Sequence, residues 1–156
     1  MSEPKLPYCY SYFSIASNGA LLALNQQESV FQAASGSLFV PQEITVMLGI
    51  TPFRAFAADD VRANGSIYGF SRWNGCLCET PSNDAGEQCL AVVRQLQDKI
   101  GILNEIRRRY AVNFTLQVVA YSAESGETAA VYFPHEVIAF CHLSDTEIDV
   151  DSYVSV

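Results

Sequence analysis

An α+β fold, with an antiparallel sheet and one long amphipathic helix and one or two short helices packed on one face, is predicted by three features of the chain. Runs rich in aromatic and β-branched residues occupy its first part, a three- and four-residue apolar period begins near Cys89, and a period of two follows Val112. With 156 residues, 49% of them hydrophobic and 17% charged, the chain has enough apolar surface for a core and reads as a single domain over 1–156.

The elements follow in order. Tyr8 to Ala16 reads as a first strand, ended by the turn formers Ser17, Asn18 and Gly19. Residues 20–40 mix apolar and polar types without a clean period, so strand and loop both remain open there. Pro41 suits the first turn of a helix in which Ile44, Met47 and Leu48 share a face, and Gly49 offers a left-handed stop. Pro52 directs the segment to Ala58 into extended or irregular backbone. Asn74 and Gly75 separate two strand-like runs, Ile67 to Trp73 and Cys76 to Glu79, and predict a tight hairpin.

Asp84 and Glu87 have the spacing of a capping box. Behind them Cys89, Val93, Leu96, Ile100, Leu103, Ile106 and Tyr110 recur at helical steps and predict one long amphipathic helix, with Gly101 as a candidate bend. Arg94 with Asp98, and Glu105 with Arg109, are spaced to pair on its surface. After Val112 the residues Phe114, Leu116, Val118 and Ala120 share one strand face, opposite Asn113, Thr115 and Gln117. Ala130 to Phe133 is the expected partner strand, and Pro134 opens a short helix reaching Cys141.

Charge and cysteine usage narrow the function. Nine Lys and Arg stand against seventeen Asp and Glu, a formal charge of −8. Such a molecule repels phosphate backbones and anionic membranes and attracts cations or basic proteins, so no direct nucleic-acid partner and no membrane partner is expected. No stretch reaches the roughly 20 apolar residues of a membrane helix, the apolar residues between Leu6 and Leu24 are interrupted and lack a basic leader, and five cysteines without a repeating framework fit reduced thiols. The expected location is cytoplasmic.

EITVMLGITP at Glu43 to Pro52, Trp73 ahead of the long helix, and EIDVDSY at Glu147 to Tyr153 occur in that order. On these residues the chain resembles the domain of unknown function 4279 family, over Tyr8 to Tyr153. The resemblance implies a small α+β fold and supplies no catalytic residues. The long segment between Ser17 and Val40 departs from the family's usual spacing.

Few arrangements favour catalysis. Cys76 and Cys78 would share a strand face, where two sulfurs could hold a soft metal or form a strained redox pair. His135, Cys141 and His142 supply no second closely spaced pair of ligands, so ordinary half-buried cysteines are the simpler reading and no metal or cofactor is expected. There is no nucleophile elbow, dinucleotide-binding glycine motif or P-loop, so a non-enzymatic role is expected. Arg107, Arg108 and Arg109 suit the carbonyl end of a helix.

The acids are unevenly placed. Beyond Arg109 there is no Lys or Arg, while Glu124, Glu127, Glu136, Asp145, Glu147, Asp149 and Asp151 follow. If extended, Asp145, Glu147, Asp149 and Asp151 form a carboxylate ladder opposite Ile148 and Val150. A cationic partner would relieve the repulsion within it; a solvated edge strand guarded against aggregation is the structural alternative. The expected function is an acidic protein-binding module, an immunity protein that neutralises a basic toxin such as a nuclease. A small-molecule or metal-binding domain, or an enzyme lacking familiar motifs, is the alternative.

Overall fold

Alternation in YCYSYF puts one set of side chains on each side of the first strand, and the computed structural model of the chain, which describes residues 6–154, shows the outcome. Strand β1 spans Tyr8–Ser17, β2 Gly19–Ala23 and β3 Ser29–Ala33. Helix α1 spans Pro41–Leu48, β4 Arg54–Phe56, β5 Arg72–Glu79, α2 Ala85–Arg94 and α3 Ile100–Arg109. Strand β6 (Val112–Ser122), helix α4 (His135–Ser144) and strand β7 (Thr146–Val154) complete the α+β fold. The sheet order is β4-β5-β1-β6-β7, with β2 and β3 in a separate antiparallel pair that resolves the ambiguous stretch 20–40.

The main sheet is mixed, where an antiparallel one was expected. Gln117 reaches Asp149 and Asp151, and Ser122, further along β6, reaches Tyr153. Residue numbers therefore rise together on β6 and β7, which run parallel. Parallel neighbours need a long crossover, and α4 supplies it. The expected partner strand at Ala130 to Phe133 does not form; Ala130 makes only a parallel bridge to Asp84.

The expected long helix is broken. Asp84 caps α2 by accepting from the Glu87 backbone N–H at 3.1 Å. At its other end the Gln95 and Leu96 N–H groups turn back to Val92 and Val93 carbonyls, tightening the chain into a 3-10 turn over Gln97–Lys99 before α3. Leu96, at φ −119°, leaves the helical path and is fully buried. Gly101, the expected bend, lies inside α3. Arg94 pairs with Glu136 rather than Asp98, whereas Glu105 does pair with Arg109, and with Arg108.

The expected hairpin at Asn74-Gly75 is also absent. Strand β5 runs through both residues, with Asn74 opposite Arg54 and Trp73 opposite Ala55 on antiparallel β4. The positive φ falls on Cys76, at 59°.

The chain divides into two compact units. Unit 1 comprises Met1–Phe13, Cys76–Ile100 and Thr115–Val156; unit 2 comprises Ser14–Gly75 and Gly101–Phe114. In unit 2, α1 begins at Pro41 as expected and ends at left-handed Gly49, with Ile44 and Leu48 buried. Its polar interior is tied by two serines. Ser17 Oγ accepts from the Ser71 N–H and donates to the Ser37 carbonyl, while Ser71 Oγ accepts from the N–H groups of Phe39 and Ala58. These bonds hold irregular backbone against strand ends, as buried polar groups require.

In unit 1, Cys9, Ser11 and Phe13 of β1 point to the side occupied by α2 and α4. Phe13 meets Phe140 of α4 edge to face at 6.2 Å. Gln88 of α2, fully buried, donates to the Cys9 carbonyl at 2.8 Å and accepts from Ser11 Oγ at 3.4 Å. Val92, Val93, Leu116, Val118 and Val137 are among the other buried apolar side chains of this unit. The opposite face of the unit 1 strands carries the candidate site.

Candidate partner-binding face

Strand period sets the side chains on the face away from α2 and α4. On β1 they are Tyr8, Tyr10 and Tyr12; on β6 within unit 1, Thr115, Gln117, Val119 and Tyr121; on β7, Glu147, Asp149, Asp151 and Tyr153. Consecutive tyrosine rings touch along this face: Tyr12 to Tyr10 at 6.2 Å, Tyr10 to Tyr8 at 5.9 Å, Tyr8 to Tyr121 at 6.1 Å and Tyr121 to Tyr153 at 5.1 Å. Five tyrosines on three strands thus make one row. Its two most open members are Tyr8, 37% exposed, and Tyr153, 49% exposed.

Acids bracket the row. Burial, followed by the hydrogen bond to Glu79 at the end of β5, pushes the Tyr8 hydroxyl up to about 12. At the other side stand the β7 carboxylates. Glu147 and Asp149 are exposed, and Asp151 is half-buried because its Oδ2 accepts from Gln117 Nε2 at 3.1 Å. That same amide also donates to the Asp149 carbonyl, at 3.3 Å, so one side chain holds the register of β7 against β6.

Of the four sequence-predicted residues, Glu147, Asp149 and Asp151 share this face of β7. Asp145 lies outside the strand, as the left-handed C-cap of α4 at φ 54°. Beyond the ladder, Ile148 is half-buried and Val150 lines a groove of about 580 Å³ with Tyr121, Val131, Tyr153 and Val154. Sequence reasoning passed over the tyrosines, although the alternation Tyr8, Tyr10, Tyr12 and the two-residue step from Asp151 to Tyr153 were visible signals.

Charge is distributed as the acids suggest. Unit 1 holds 12 Asp and Glu against 3 Lys and Arg, a formal −9; unit 2 holds 5 against 6, a formal +1; together these give the −8 of the whole chain. The net negative charge of the chain lies wholly in unit 1, the unit that carries the tyrosine row.

The thiols lie elsewhere. Cys76 is buried and Cys78 half-buried, and burial pushes the Cys76, Cys89 and Cys141 thiols up to about 11. Such groups stay protonated and unreactive at neutral pH. Among the described residues no group of three or more His, Cys, Asp or Glu could hold a metal ion, and no helix is long and apolar enough to cross a membrane. The arginine run ends α3, where Arg108 and Arg109 bind Glu105 and Arg107 Nη2 donates to Asn104 Oδ1 at 2.7 Å.

A family model described as a domain of unknown function, DUF4279, matches residues 9–155. No curated protein and no solved structure matches the chain.

Proposed function

The chain belongs to the DUF4279 family, a membership that leaves its activity open, and we propose that it is a non-enzymatic module that captures a basic protein. The observation that carries this reading is the placement of Glu147, Asp149 and Asp151 on the same sheet face as Tyr121 and Tyr153, in a unit of formal charge −9. Carboxylates spaced along one strand repel one another, and a cationic surface lowers that energy on docking. Tyrosine is enriched in protein interfaces because its ring supplies contact area at small entropic cost while its hydroxyl keeps a polar contact.

Charge of this density acts first on encounter, which suits an immunity protein that must reach a basic toxin, such as a nuclease, before the toxin reaches its substrate. The cytoplasm is the compartment such a role requires, and reduced cysteines are compatible with it.

The test replaces Asp145, Glu147, Asp149 and Asp151 by Asn or Gln and measures association with a basic protein captured from the host on the wild-type chain. At low salt the neutralised chain should associate about tenfold or more slowly, and the difference should shrink at high salt. Equal association rates at both salt levels would reject the surface.

A further inference from the structure

We propose that the tyrosine row of unit 1 is a docking surface for a partner segment that presents arginine side chains. The inference rests on the protein-capture reading and narrows it: the carboxylates alone would accept any cation, whereas the rings select among cations.

Two relationships point to arginine. Tyr153 follows Asp151 by two residues on β7, so both side chains leave the same face about 7 Å apart. Tyr8, at the start of β1, stands likewise near Glu79, at the end of the neighbouring strand β5. Each of the two most open rings therefore has an acid within reach of a group lying on it. A guanidinium is flat: it can rest on the ring face and turn its N–H edge toward the carboxylate at once. An ammonium is a compact, strongly hydrated charge and satisfies one of these contacts at a time.

A second copy of this chain is a poor occupant. Its matching face would bring a unit of formal charge −9 against an equal one, which costs energy at every separation within the screening length.

The experiment titrates the full chain with arginine and lysine peptides matched in length and charge, by calorimetry at low salt. The arginine peptide should bind about three- to tenfold more tightly, the range expected of one or two ring contacts. In the double variant Tyr8→Leu, Tyr153→Leu, which removes both acid-flanked rings, that preference should vanish while lysine-peptide affinity stays within about twofold. Tyr153→Leu alone, at a half-exposed strand end, serves if the double variant does not fold. Equal affinities in the wild type would overturn the role of the rings and leave the acidic surface standing. A preference that survives loss of the rings would also overturn it. Failure of both peptides to bind would overturn the protein-capture reading itself. Concentration-dependent dimerisation abolished by Tyr153→Leu, read by sedimentation, would replace the proposed partner with a second copy.

Discussion

The indole of Trp73 lies so close to Gly75 that a Cβ placed there would stand 2.4 Å from ring atom Cη2. Trp73 is fully buried, and its Nε1 donates to Thr45 Oγ1 of α1 at 3.0 Å. The glycine is thus required by the ring beside it. Gly75→Ala should cost about 1–3 kcal/mol, the usual penalty of overpacking a filled interior. Gly101 has open space where its Cβ would be, and Gly101→Ala should add about 0.5–1 kcal/mol by removing a flexible residue from α3. Denaturant titration of both variants checks the pair: effects of the same sign would contradict the packing.

The apolar stripe of the middle helices makes a graded prediction. Leu96 is fully buried, whereas Ile100 is half-buried. Leu96→Ala should destabilise by about 2–5 kcal/mol, and Ile100→Ala by clearly less. Comparable losses would show that the break between α2 and α3 does not orient the two side chains differently.

The buried thiols give a pH dependence with a definite sign. Cys76, Cys89 and Cys141 titrate near 11 in the folded chain, against 9.0 for the free side chain. Between these values the unfolded chain has lost protons that the folded chain keeps, so unfolding is favoured as pH rises. The thiols' contribution should be level below pH 9 and stability should fall from there to pH 11; raised values at Tyr8 and Tyr110 extend the fall. Thermal melts of the wild type and a Cys89→Ala variant, compared for their slope over this window, measure it. A slope unchanged by the substitution would count against the shift at Cys89.

Neutralising the β7 ladder should leave the fold intact. Gln117 keeps the Asp149 carbonyl as acceptor, and Asp151→Asn still offers its side-chain oxygen. Asp145→Asn keeps a residue type that tolerates the left-handed cap. Melting temperature should stay level or rise slightly as like charges are removed. A collapse of stability would assign the acids a structural role.

What the sequence revealed follows from the range of the forces involved. Caps and periods are local: Pro41 and Gly49 bound α1, Asp84 caps α2, and the alternation from Val112 marks β6. The misreadings arise where a distant group overrules a local preference. Asn74-Gly75 has the chemistry of a turn, but pairing with β4 and the Trp73 ring keep it extended. One exception is local: the helical period continues through Leu96, yet the backbone breaks there as α2 closes on its own last carbonyls. The direction of β7 depends on a crossover that no strand pattern encodes. The ladder was legible for Glu147, Asp149 and Asp151 because period two is local to a strand; the tyrosine row was not, since it joins β1, β6 and β7.

The parallel seating of β7 on β6 has a bearing on synthesis. Unit 1 is gathered from three stretches of chain, and β7 is the last of its strands to be made. The 32 residues from Ala123 through Val154 take a ribosome roughly 2 to 6 seconds at about 5–20 residues per second. Throughout that interval β6, with its run of apolar side chains, offers an open edge to any neighbouring nascent chain. When β7 arrives it closes that edge and lines the new one with carboxylates, so the growing polypeptide is most vulnerable to misassembly just before it acquires the charge that keeps copies apart.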